Sequence, residues 1–179
     1  YYRERSEEHF AVHIRDWHSA DDDFQREHLN YFGHHCIAGT GGAKFIEQIE
    51  YHRPAEKGDT IVDSTTLNDF VNTGLQNSIE SLGIRPGEPW LAAIIGVWTD
   101  VKVQYLAYDL VSRFPEVRIA VCSSLCASRS RIRHQWALEF MKQNLNVLVT
   151  DSINELLEFL GIRVSLNRHF EKLKASPLR

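Results

Sequence analysis

Long apolar runs are absent from this sequence. No stretch of the 179 residues approaches the ~20 apolar positions that cross a bilayer. The first residues carry no leader-like pattern, so a cytoplasmic protein without a membrane partner is expected. Cysteine is scarce: Cys36, Cys122 and Cys126 are three, an odd number without metal-finger spacing. That argues against a disulfide scaffold and for reduced thiols. An excess of positive charge is also missing. The 20 Lys and Arg are outnumbered by 24 Asp and Glu, a net charge of −4, so no basic field invites nucleic acid. The one local cluster, Arg129, Arg131 and Arg133, reads as a solvated face. No linker, repeat or low-complexity tract divides the chain. The chain opens on Tyr1-Tyr2-Arg3 and has one methionine, Met141, from which a longer natural chain is expected.

What is present is a core-forming composition, 43% hydrophobic, enough for one domain. The expected domain covers residues 1–161, followed by a polar tail or arm over 162–179. Phe10–Arg15 reads as a strand ending at Asp16-Trp17-His18, and a loop rich in Asp and His runs on through Cys36. A short helical segment follows Gly39–Gly42, and Thr60–Val62 is a brief strand. Leu67, Phe70, Val71, Leu75, Ile79 and Leu82 predict a helix over 66–82, closed by Gly83. Trp90–Gly96 is apolar throughout and predicts a central strand covered on both faces. A helix over 102–114, a strand over 117–122, a helix over 132–143, a strand over 147–150 and a helix over 153–160 complete the pattern. Asp151 or Ser152 caps the last helix and Gly161 ends it. Strands alternating with helices in this rhythm predict an α/β fold.

The most informative stretch is Gly96-Val97-Trp98-Thr99-Asp100-Val101-Lys102-Val103, where an apolar strand stops at a polar turn and an amphipathic helix begins. Such corners aim side chains at the carboxyl end of an α/β sheet, where ligands bind. Thr99 and Asp100 stand where they can cap the new helix, and free helix-start N–H groups would favour an anionic ligand.

The corner resembles that of the isochorismatase-like hydrolases, a family that includes nicotinamidases and other cysteine amidases. Further blocks carry the resemblance in order: Asp16-Trp17-His18 with Phe24, His35-Cys36 through Gly39-Thr40-Gly41-Gly42-Ala43-Lys44-Phe45, Gly58-Asp59 with Phe70, Thr73 and Leu75, and Ala127-Ser128-Arg129 with His134 and Ala137-Leu138. The resemblance implies a three-layer α/β/α sandwich on a mainly parallel sheet, with the family's first strand preceding Tyr1. Dimers or tetramers are frequent in the family, so a homo-oligomer is expected.

The family's chemistry uses an Asp, a Lys and a nucleophilic Cys. The resemblance places Lys102 at the cysteine position, Asp63 and Ser64 at the lysine position, and the aspartate upstream of Tyr1. It makes Val97–Trp98 a cis peptide bond beside the oxyanion turn, with Trp98 and Thr99 against a substrate. Phe32 falls where nicotinamidases stack an aromatic on the substrate ring; the alternative is loop packing. Asp16, His18 and His35 match nicotinamidase ligands for Zn²⁺, Fe²⁺ or Mn²⁺, with Asp23 a candidate fourth; a hydrogen-bonded polar network is the alternative. Lys102 reads either as a desolvated nucleophile or as an ion-pair partner of the upstream aspartate. Cys36 reads as a buried structural thiol. The expected protein has therefore lost cysteine hydrolysis and binds a small molecule or a partner. The rival expectations are acid catalysis by the upstream aspartate, and hydrolysis by metal-activated water.

Overall fold

A computed structural model describes residues 9–50, 59–84 and 87–162; residues 163–179, which make up almost all of the expected tail, lie outside them. The chain divides into two compact units, Tyr1–Glu88 and Pro89–Arg179. Every strand pair in both is parallel, and helices alternate with strands, so the class is α/β with parallel sheets.

The first unit is built on β1 (Val12–Asp16) and β2 (Thr60–Ser64), paired in register from Val12 opposite Thr60 to Asp16 opposite Ser64. After β1 the chain does not stay a loop. Asp22 accepts the Phe24 N–H and opens a 3₁₀ turn over Asp23–Gln25, which continues into helix α1 (Arg26–Phe32) with Leu29 buried. Gly33 ends α1 at φ 81°, a conformation that glycine adopts without steric cost. A second 3₁₀ turn, Gly41–Ala43, and the short α2 (Glu47–Glu50) follow.

The helix expected over 66–82 is shorter than its pattern. Only α3 (Leu75–Glu80) is helical. Upstream, polar side chains take the backbone groups that a helix would use. The Asn68 N–H donates to Thr66 Oγ1, the Phe70 N–H to Asn68 Oδ1 and the Leu75 N–H to Thr73 Oγ1. Ser, Thr and Asn compete with helix in this way, and here they override a correct apolar spacing.

The second unit orders its strands β3 (Trp90–Val97), β4 (Val117–Ala127) and β5 (Leu148–Thr150). Within it β4, not β3, is the middle strand, and Ile119, Ala120, Val121 and Cys122 are all buried. β4 also outruns its expected end at Cys122. Ile94 pairs with Val121 but Gly96 pairs with Cys126, so a bulge lets the strand resume alongside the Gly96 corner.

Helix α4 (Gln104–Arg113) follows a π-helical turn at Thr99–Val103. Helix α5 (Arg131–Asn144) is capped by Ser130, which accepts the Arg133 N–H. It buries Ala137, Leu138 and Met141 and leaves Trp136 exposed. Helix α6 (Ile153–Phe159) is capped by Ser152, not Asp151, and Gly161 follows it at φ 69°.

Candidate functional site

The first unit gathers three histidines from three places. His18 follows the end of β1 and is fully buried, His28 lies on α1, and His35 follows the Gly33 turn. A single parallel bridge, His18 with Ile37, ties these segments together: the His18 N–H donates to the Cys36 carbonyl and the Ala38 N–H to the His18 carbonyl. The His35 and His18 rings thereby lie 4.6 Å apart, and the His28 ring lies 4.8 Å from that of His18. One nitrogen from each of the three lies within 4.8 Å of the others.

Hydrogen bonds decide which nitrogen each ring offers. His18 Nδ1 lies 3.0 Å from Gln25 Oε1, and His35 Nδ1 lies 2.7 Å from the Gly33 carbonyl oxygen. Both partners only accept, so in the neutral rings Nδ1 carries the proton and Nε2 the lone pair. Asp16 Oδ2 lies 3.9 Å from His35 Nε2, which places a carboxylate beside the imidazoles. Imidazole nitrogens with a carboxylate suit Zn²⁺, Fe²⁺ or Mn²⁺, and the three histidines form a group close enough together to gather round one such ion.

Asp23 does not join this cluster. It begins the 3₁₀ turn, its side chain is exposed, and its carboxylate pairs with Arg26. His28 takes the place expected of it, a residue not singled out from the sequence. The available signal was Asp22 as a helix cap, since a helix started there puts His28 and Phe32 one turn apart on one face. Phe32 packs against the His28 ring at 4.8 Å. Cys36 is half-buried, with φ 44°.

Strand alternation separates the two residues at the expected lysine position. Asp63 is exposed and accepts from Arg15 Nε at 2.6 Å, while Ser64 is buried and donates to the Thr66 carbonyl at 3.2 Å. Neither supplies a cation.

In the second unit the Val97–Trp98 peptide is cis, and Gly96 precedes it at φ 140°. The Arg129 guanidinium lies 4.1 Å over the Trp98 ring. Thr99 and Asp100 do not cap the helix. Buried Thr99 Oγ1 lies 2.8 Å from His134 Nδ1, and Asp100 Oδ2 accepts from Arg133 Nη1 at 3.2 Å. Burial opposes ionisation of Asp100, but Ser128 and Arg133 outweigh it and hold the carboxyl below its ordinary pKa.

Three helix-start N–H groups are engaged internally: Asp100 donates to Ser128 Oγ, and Val101 and Val103 donate to the Trp98 carbonyl. These three N–H groups are thus engaged within the corner and do not point to a ligand. Lys102 sits half-buried within the π-helical turn. Burial pushes the Cys126 thiol up, and Cys122 is fully enclosed.

A sequence profile of the Isochorismatase domain matches residues 5–152. The chain belongs to the isochorismatase family. Among solved structures, it is similar to the nicotinamidase/pyrazinamidase of Bacillus subtilis, at 26% identity and TM-score 0.67 over 79% of this chain and 75% of that one. An isochorismatase-like hydrolase from Alkaliphilus metalliredigens matches at 21% identity and TM-score 0.65, over 83% and 72% of the two chains. The pyrazinamidase of Pyrococcus horikoshii, solved in complex with zinc, matches at 20% identity and TM-score 0.58, over 79% and 74%; these two likenesses establish the isochorismatase-like fold alone. Curated protein sequences give no match.

Proposed function

We propose that this isochorismatase-family protein is a binding protein that holds a divalent transition metal at His18, His28 and His35 beside Asp16, and that it does not use a cysteine nucleophile. The observation that carries the reading is the convergence of three imidazole nitrogens within 4.8 Å. A chance group of surface histidines would not also have two rings oriented by buried or backbone acceptors, as His18 and His35 are. The likeness to a pyrazinamidase solved with zinc is consistent with this reading.

Loss of thiol chemistry rests on the other half of the chain. By resemblance Lys102 occupies the nucleophile position. A thiol attacks as its thiolate, and Cys126 is pushed away from that form by burial. A bound divalent ion would supply Lewis-acid polarisation and a bound water of lowered pKa. The chain's own contribution is to present three imidazoles together and to keep the Asp16 carboxylate next to His35. A second reading, metal-assisted hydrolysis, is favoured by that carboxylate, which is placed where it can take up a proton.

Elemental analysis of protein purified without chelators tests the proposal. About one equivalent of Zn, Fe or Mn per chain is expected, lost on His18→Ala; a metal-free protein that also takes up none on dialysis contradicts it. Amide turnover that requires the metal would select the second reading.

A further inference from the structure

A neutral imidazole binds metal only through the nitrogen that lacks the proton, and the hydrogen bond at the other nitrogen decides which one that is. For His35 the decision is made by a backbone carbonyl, that of Gly33, which no side-chain substitution removes. For His18 it is made by one side chain, Gln25.

Gln25 is 4% exposed, and its amide has one consistent orientation. Nε2 donates to Asp22 Oδ2 at 2.7 Å, so Oε1 is the end turned inward. That oxygen accepts the Ser19 N–H at 3.1 Å and lies 3.0 Å from His18 Nδ1. Reversing the amide would set an NH₂ group against the Ser19 N–H and lose the bond to Asp22. The Asp22 carboxyl is held below its ordinary pKa first by Gln25 and then by the Phe24 N–H, so the anchor is an ionised acceptor.

We propose that Gln25 is a positioning residue for the metal centre: its buried amide, locked by Asp22, fixes His18 as the Nδ1–H tautomer and turns the Nε2 lone pair toward His28 and His35. The proposal rests on the metal reading above. It adds a role for the 3₁₀ turn at Asp23–Gln25, which places an uncharged acceptor behind the buried His18 ring. Outer partners of metal-bound histidines typically change affinity 10–100-fold.

Two measurements separate this role from simple packing. Long-range ¹H–¹⁵N spectra of the metal-free protein read the His18 tautomer, and Co²⁺ titration followed by visible absorption reads affinity and ligand field. In wild type, the Nδ1–H form is expected. In Gln25→Met, which keeps the bulk and removes the acceptor, the tautomers should mix. Co²⁺ affinity should fall about 10–100-fold, with altered absorption bands. Asp22→Ala removes the anchor of the amide and should likewise mix the tautomers and weaken Co²⁺ binding; should the Met variant fail to fold, mixed tautomers in Asp22→Ala are the expected result.

A Gln25→Met protein with a pure Nδ1–H tautomer and Co²⁺ affinity within about twofold of wild type overturns the role of Gln25 alone. So does a folded Asp22→Ala protein that keeps a pure Nδ1–H tautomer and wild-type Co²⁺ affinity. Wild-type protein that shows the Nδ1–H form but binds no Co²⁺ overturns the proposal together with the metal reading.

Discussion

His18 and Ile37 face each other across an isolated parallel bridge, and this one backbone contact assembles the histidine cluster. It extends the line of β1 past Asp16 and draws the chain after α1 back alongside it. His35, two residues before Ile37, comes to rest against the buried His18 ring, and α1 supplies His28 to the same ring. The three imidazoles are thus set by backbone pairing and a helix, not by a flexible loop.

His28 should therefore matter and Asp23 should not. Loss of a direct ligand is expected to cost more than the 10–100-fold typical of outer partners, so His28→Ala should weaken Zn²⁺ binding by at least about 100-fold. Asp23→Asn, which alters an exposed pair with Arg26, should leave it within about twofold. Competitive titration against a chromogenic chelator measures both, and the reverse ranking would restore the acidic residue as the fourth ligand.

Thiol reagents should not govern any activity. With Lys102 at the resemblance's nucleophile position and the Cys126 thiol raised by burial, no nicotinamide hydrolysis that iodoacetamide abolishes is expected. Loss of nucleophile and lysine together removes many orders of magnitude, because triad members act as a unit. Steady turnover that disappears on alkylation would show a working cysteine.

Asp100 gives a pH-dependent contribution whose sign follows from its partners. Its folded pKa is held below the ordinary carboxylate value, so the stability it adds is fully present above that ordinary value. It is lost as pH falls through the folded pKa. Asp100→Asn should destabilise at pH 7 by about 1 kcal/mol, the net scale of an ordinary hydrogen bond, since its Arg133 partner is largely exposed. The gap to wild type should close in acid. Urea unfolding at pH 7 and near pH 3 would detect this, and a gap of constant size would assign the effect to packing.

Ser152 caps α6 by accepting the Glu155 N–H, while Glu155 reaches back to the Asp151 N–H, a reciprocal arrangement. Ser152→Ala should cost about 1 kcal/mol, and Asp151→Ala less, since the Asp151 backbone makes the contact. Equal losses in thermal unfolding would move the cap to Asp151.

Elements with strong apolar periodicity are legible in the sequence: β3, α5 and α6 lie within a few residues of their patterns. The failures share one cause. Between Thr66 and Leu75 polar side chains claim the backbone, and a helix-like spacing of Leu67, Phe70 and Val71 remains without a helix. In the Asp- and His-rich segment the converse holds, since α1 buries only Leu29 and so leaves little periodic signal. The site follows the same division. Asp16, His18 and His35 are visible as a motif, whereas His28 and Gln25 depend on the turn and helix that Asp22 starts. Thr99 and Asp100 look like caps until α5 supplies His134 and Arg133 as partners from more than thirty residues away.

X-ray absorption of the zinc-loaded protein tests the central proposal most directly, because imidazole rings give characteristic outer-shell scattering. Nitrogen and oxygen donors at about 2.0–2.1 Å with scattering from about three imidazoles are expected, falling to about two in His28→Ala. A shell of oxygen donors without imidazole scattering would contradict a metal centre at His18, His28 and His35.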